Sequence, residues 1–270
     1  MEIVVCLKQV PASTRVRLNP ATNTIVREGV ELMLNPFDAY ALEEALRLKE
    51  NFGGQVTVLS MGIPSAEGIL RQALGLGADR AVLLSDKRFA GADTLATART
   101  LAAAVRKLGT VDLLLCGRQA VDGDTAQVGP SLAQKLDIPH LSAVRRVRLL
   151  GNRELLCEKM SDEGCLKIRL GLPALLTVVK EINTPRFLNL QGYLQSLRAQ
   201  VEIWTADDLQ LDPARIGLEG SATWVVSTAA ADRRKTGKDI PGSPEEAAAS
   251  ILAALRQKGW SKPEREESRG

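Results

Sequence analysis

The chain has 270 residues, 45% of them apolar and 25% charged, which fits one large domain, or one domain with appendages, since a single core stops growing near about 250–300 residues. That composition excludes wholesale disorder, a collagen-like chain and a disulfide scaffold. With 3% aromatic residues and a net charge of +3, neither an aromatic base-stacking platform nor a basic nucleic-acid surface is expected.

The N-terminal MEIVVCLKQV contains an apolar run too short for a signal segment or a membrane span. The expectation is a cytoplasmic protein with no membrane span. Cys6, Cys116, Cys157 and Cys165 form no Cys-x-x-Cys pair, and two of them lie in apolar runs, so reduced thiols are expected.

Up to about residue 138, β-rich runs at 3–7, 55–60, 80–84 and 111–116 alternate with stretches of helical period. This predicts an α/β fold, a mostly parallel sheet with helices on both faces, its strands apolar because they are buried on both sides. RVRL and TIVR flank residues 19–23 and read as a hairpin ahead of the first helix. For that helix Asn35 serves as cap and Pro36 as first residue. Leu42, Ala45, Leu46 and Leu48 form its apolar surface, and Gly53-Gly54 is its stop.

Further helices are predicted at 65–76 and 93–108, and at 125–136 with an irregular start imposed by Gly129-Pro130. After Pro139 the alternating VRRVRLL, LLCEKM and CLKIRL predict antiparallel strands at about 143–170, a small addition to the sheet. Residues 174–179 read as a buried strand returning to the main sheet. From about residue 211 only 224–226 has the character of a buried run. Residues 231–244 read as a linker, and 244–258 as a final helix. A tail of this kind has little reason to order alone and points to a partner subunit.

No Gly-x-Gly-x-x-Gly and no P-loop follows any predicted strand. His140, the only histidine, has no supporting spacing for a triad or a zinc site. The informative segment is GRQAVDGDTAQVGP at 117–130, which follows a buried strand and opens a helix, where open α/β sheets bind ligands. Gly117 and Gly123 permit close backbone approach, and Thr125 and Gln127 supply donors. An ordinary strand-to-helix loop capped by Asp124 is the competing reading. Asp122 and Asp124 disfavour a bare phosphate unless they cap the helix, meet a ribose hydroxyl or are offset by Arg118.

Taken with VCLKQVP (5–11), NPFDAYALEEALRLKE (35–50), VLSMG (58–62), GADRAVLL (77–84) and NTPR (183–186), that segment resembles the beta (small) subunit of electron transfer flavoproteins over essentially the full chain. The resemblance implies a Rossmann-like, adenine-nucleotide-binding α/β domain at 1–205 and a C-terminal arm at 206–270 that packs on an alpha subunit to make a heterodimer. It implies an electron-carrier subunit rather than a stand-alone enzyme. Cys6, Asn35, Asp38 and Met61 then line the adenine and ribose side, and Ala120, Gly123, Thr125, Ala126, Gln127 and Val128 the phosphate side.

Housekeeping relatives that hold AMP commonly carry Cys at the position of Asp38 and bulkier polar residues at those of Gly123 and Ala126. The form found here resembles the anaerobic and nitrogen-fixation branches, where electron bifurcation occurs. FAD is therefore expected, with NADH as electron donor, and AMP is the alternative. A recognition loop at 183–198, with Leu190 exposed, would meet an acyl-CoA dehydrogenase or quinone oxidoreductase type partner, and ferredoxin or flavodoxin would accept electrons. Leu194 and Leu197 are expected to pack inward as a short helix stripe, and Trp204 and Trp224 to be packing anchors. A stand-alone adenine-nucleotide hydrolase or sensor is the remaining alternative, weakened by the absence of a phosphate-gripping Lys in the loop.

Overall fold

β1 (Glu2–Cys6) buries Ile3, Val4 and Val5 against both faces of a sheet, as a central parallel strand requires. The computed structural model describes residues 1–12, 31–151, 153–227, 237 and 239–260, with the backbone of 17–19 and 24–26. β2 (Gln9–Pro11), β3 (Arg17–Asn19), β4 (Thr24–Val26) and β5 (Leu32–Leu34) come next. β3 pairs antiparallel with β4 as the predicted hairpin, and β2 pairs with β5. The hairpin turn, 20–23, lies outside the described residues.

α1 (Pro36–Phe52) has its proline in the first turn and ends at Gly53, whose φ of 73° suits glycine. The expected Leu42, Ala45, Leu46 and Leu48 are all buried. β6 (Gln55–Met61), α2 (Glu67–Leu76), β7 (Arg80–Leu84), α3 (Thr94–Leu108), β8 (Leu113–Gly117) and α4 (Val128–Leu136) continue the alternation. Asp93 caps α3 by accepting the Ala96 amide at 2.9 Å, and the alanines at 96, 98, 102 and 104 are fully buried. α4 begins at Val128, three residues later than the sequence predicts. Asp124 and Ala126 both hold left-handed φ values, 52° and 54°, so the segment before Val128 cannot be helical. Its cap position is Gln127, not Asp124.

β9 (His140–Leu150), β10 (Glu154–Ser161) and β11 (Gly164–Gly171) are antiparallel, as expected. They are not a separate sheet. β12 (Ala174–Val178) runs parallel to both β9 and β8 and so joins them to the main sheet. After α5 (Leu190–Arg198), β13 (Glu202–Trp204) adds to β7, giving nine strands in the order β11-β10-β9-β12-β8-β1-β6-β7-β13. One aliphatic cluster lies under α1 and α2 and includes Ile3, Val5, Leu113 and Leu176. The other lies under α3 and α4 and includes Val4, Leu114, Leu132 and Leu175. Alternate residues of each strand serve opposite clusters, as the pleat dictates.

Trp204, Ala206, Leu209 and Ile216 are buried in the second cluster, so the chain stays on the sheet well past residue 205. Trp224, Val225 and Val226 are 72%, 62% and 80% exposed. The expectation of a buried run there, and of Trp224 as an anchor, is thus corrected: the composition is apolar, but the run lies on the surface. Contacts divide the chain into 1–228 and 229–270. In the second unit α6 (Pro244–Gln257) starts with a capping box between Ser243 and Glu246. Of the expected linker at 231–244, residues 231–236 and 238 lie outside the described residues. Among the described residues no helix is long and apolar enough to cross a membrane.

Candidate functional site: the loop after β8

Three parallel strands, β6, β1 and β8, end side by side, and the loop 118–127 closes over them before α4. Glycine is required on both sides of this loop. A Cβ on Gly117 would lie 2.6 Å from the Phe37 carbonyl carbon and against the Asp38 carboxylate, and one on Gly129 would lie 2.5 Å from Thr177 Cγ2. These two glycines let α1 and α4 approach the sheet. Gly123 differs, because a Cβ there would meet only Lys8 Nζ, at 3.9 Å. It leaves open space at the loop's crest.

Asn35 is placed to cap α1, yet its side chain makes no cap bond. It reaches across to the loop instead: Nδ2 donates to the Gln119 carbonyl at 2.9 Å, and Oδ1 accepts the Val121 amide at 3.2 Å. Buried and engaged at both ends of its amide, Asn35 fixes the loop's height above the strands. The correction has a physical reason. An amide side chain before a helix suits a local cap and a distant carbonyl equally well, and here the distant partner takes it.

Asp38 is buried, and its Oδ2 accepts the Lys8 amide at 2.8 Å. Burial pushes its carboxyl up to about 7, opposed by hydrogen bonds from Asn35 and from the Lys8 and Gly117 amides. The carboxyl therefore joins the chain just past β1 to the end of β8 and faces backbone rather than open space.

Lys8, which the sequence alone does not single out, supplies the loop's cation. Its Nζ donates to Asp122 Oδ1 at 2.6 Å. Arg118, the expected counter-charge, is exposed, and its backbone amide donates to the Val178 carbonyl at 2.9 Å. Asp124 accepts from the Gln119 side chain. The signal for Lys8 is present in VCLKQVP, where it follows the first strand by two residues.

The remaining expected residues divide. Cys6 and Met61 lie near the ends of adjacent strands and, with Val128, border the cluster under α3 and α4. Thr125 Oγ1 lies 3.4 Å from Thr94 Oγ1 at the start of α3 and 3.5 Å from the Gln127 amide. Gly123, Thr125 and Gln127 are exposed, and Ala120 and Ala126 half-buried. α4 has no side-chain cap, so its first amides are free to meet an anion.

Leu190 is not part of this constellation. It begins α5 and is 75% exposed. The segment before it is tied to α1: Asn183 Nδ2 donates to Glu44 Oε2 at 3.0 Å, and Arg186 Nε to Glu43 Oε2 at 2.8 Å. Leu194 and Leu197 are 53% and 59% exposed, against the expectation that they pack inward. The face of α5 that meets the protein is Gly192 and Ser196, both buried. A Cβ on Gly75 of α2 would lie 2.5 Å from the Gly192 carbonyl oxygen, so small residues make this crossing and leave the leucines outside.

Residues 22–209 match the family described as electron transfer flavoprotein domain. The chain is 46% identical over 259 residues to an electron transfer flavoprotein subunit beta of Thermoanaerobacterium thermosaccharolyticum, covering 96% of this chain and 99% of the relative. It is 44% identical over 260 residues to the caffeyl-CoA reductase-Etf complex subunit CarD of Acetobacterium woodii, covering 96% and 99%. It is also 45% identical over 261 residues to protein FixA of Azorhizobium caulinodans, covering 94% and 93%.

Proposed function

Because the chain belongs to the electron transfer flavoprotein family, with beta subunits among its relatives, we propose that it is the small subunit of a heterodimer and holds FAD between the loop 118–127 and the ends of β1, β6 and β8. The observation that carries this reading is the open crest of that loop. Gly123 has free space above it, and the uncapped start of α4 offers backbone donors to an anion.

The residues present fit the phosphates and ribose of an adenine dinucleotide. Ala120, Gly123, Thr125, Ala126, Gln127 and Val128 form the phosphate side, with the backbone donating and small side chains leaving room. Cys6 and Met61 floor the adenine side. Asn35 and Asp38 act from behind, the first by fixing the loop and the second by joining the strand ends. Lys8 offsets Asp122, so the acidic pair in the loop does not repel an anion at full strength. When bound, FAD supplies the relay by which electrons from NADH pass to a second flavin and to an outside acceptor.

In this reading the part of the 206–270 arm beyond the buried Ile216 meets the alpha subunit, while α5, carrying Leu190, meets an acyl-CoA dehydrogenase or quinone oxidoreductase type partner. Ferredoxin or flavodoxin takes the bifurcated electron. The name of CarD, a subunit of a reductase-Etf complex, supports a dehydrogenase-class partner.

A cofactor count on the co-purified heterodimer tests the proposal. Two FAD per heterodimer and bleaching of both by NADH are expected. One FAD with one AMP would replace the bifurcating reading by a structural nucleotide, and a colourless monomer that binds ATP would replace both.

A further inference from the structure

Cys6 and Cys116 are register partners on the adjacent parallel strands β1 and β8. Residues so paired project to the same side of a sheet, and both border the cluster under α3 and α4. Neighbouring strands lie about 4.7–4.9 Å apart, within the Cα separation of about 4.4–6.8 Å that a disulfide spans. A hydrogen bond with Cys6, burial and the nearby Asp38 raise the Cys116 thiol above its ordinary range. Both are free thiols. Cys116 is buried, whereas Cys6 is partly exposed. A solute therefore reaches Cys6 first and finds Cys116 behind it.

We propose that Cys6 and Cys116 form a thiol pair that hydroperoxides convert to a disulfide beneath the loop 118–127, and that a nucleotide in the site shields the pair. The shielding rests on the function proposed for the loop, whereas the thiol pair does not. The Cys6 thiolate takes one oxygen from the hydroperoxide, leaving an alcohol and a sulfenic acid. Cys116 then attacks that sulfur and expels water. Two thiols and one hydroperoxide give one disulfide, one alcohol and one water, so two electrons pass from sulfur to the peroxide.

The bond would act on the site because of what lies around it. A Cβ on Gly129 would be 3.9 Å from the Cβ of Cys116, so the first turn of α4 rests over this sulfur. The amides of Lys8 and Gly117, just beyond the pair, both bond to Asp38. Drawing the two sulfurs to covalent distance moves the strand ends that these groups hold.

The test uses the full-length chain carrying Cys165→Ser, which removes the exposed thiol. It is reduced, then treated with hydrogen peroxide with and without FAD or AMP. Loss of two of the three remaining thiols is expected, with Cys6 and Cys116 joined in a non-reduced peptide map and both restored by dithiothreitol. Nucleotide slows the loss, and Cys6→Ser protects Cys116. Sulfinic acid at Cys6 without a joined peptide overturns the pair, as does equal oxidation of Cys116 in Cys6→Ser. A peptide map of the wild-type chain checks the same linkage with every cysteine in place. A disulfide forming at one rate with and without bound nucleotide upholds the pair and overturns the shielding. If FAD and AMP show no binding to the chain or its heterodimer, the failure belongs to the proposed function alone.

Discussion

The buried carboxylate of Asp38 accepts the amide of Lys8 at 2.8 Å, and together with the bond from the Asn35 amide to the Lys8 carbonyl it ties the start of the first helix to the chain just past the first strand. Burial raises the carboxyl to about 7 from 3.8 despite its hydrogen bonds. A carboxyl whose folded value lies above its unfolded one contributes stability that is fully present below the unfolded value and is lost as pH rises through the folded one. Between about pH 4 and pH 7 this group therefore costs the fold on the order of a few kcal/mol. In Asp38→Asn that slope should be missing. Urea midpoints at several pH values measure it, and parallel profiles for the two proteins would remove Asp38 as its source.

Lys8, half-exposed, bridges to the mostly buried carboxylate of Asp122, so its loss should cost about 1–3 kcal/mol of global stability. Its effect is local. In Lys8→Met, amides 118–127 should exchange with deuterium faster while those of β1 and β8 stay protected. Unchanged exchange in the loop would show that Asn35 alone holds it.

The three glycines around the loop separate packing from binding. Gly117→Ala places a methyl group against backbone and a buried carboxylate, and Gly129→Ala places one against Thr177. Each should destabilise by about 1–3 kcal/mol. Gly123→Ala meets open space and should leave stability within about 0.5 kcal/mol, yet weaken nucleotide binding in the heterodimer. Thermal melts and calorimetric titration of the same three variants make the comparison. Normal affinity in Gly123→Ala would locate the nucleotide elsewhere.

α5 rests on α2 where Gly192 meets Gly75. Gly192→Ala should lift α5 and loosen residues 190–198, seen as faster cleavage by a protease, with little change in the core. An α5 as resistant as in the wild type would mean that the Asn183 and Arg186 bonds to α1 hold it in place.

Much of the architecture is legible in the sequence because it rests on local pattern. The continuous apolar runs of β1 and β8, the Pro36 start of α1 and the alternation of β9 to β11 all carry their own period. What is not legible depends on distant partners. Asn35 caps nothing because its partners, Gln119 and Val121, lie far along the chain. Leu194 and Leu197 have the spacing of a buried stripe, but two glycines decide which side of α5 faces inward. The start of α4 is shifted because Asp124 and Ala126 adopt left-handed backbone, a conformation that aspartate tolerates better than most residues but that nothing about an alanine signals. Within the site, the glycines of the loop mark it out, while Lys8 escapes notice because its ion partner, Asp122, becomes a neighbour only after folding.

The place of β12 between β8 and β9 sets an order of assembly. β8 is made early, but its outer edge is completed only when residues 174–178 arrive, after the whole of β9 to β11 has been synthesised. A nascent chain emerging from the ribosome thus carries an open central edge while residues 118–173 are made, the kind of exposure that invites wrong pairing. The long antiparallel excursion delays closure of the strand end beneath the loop, so the cradle there is among the last parts of the domain to mature.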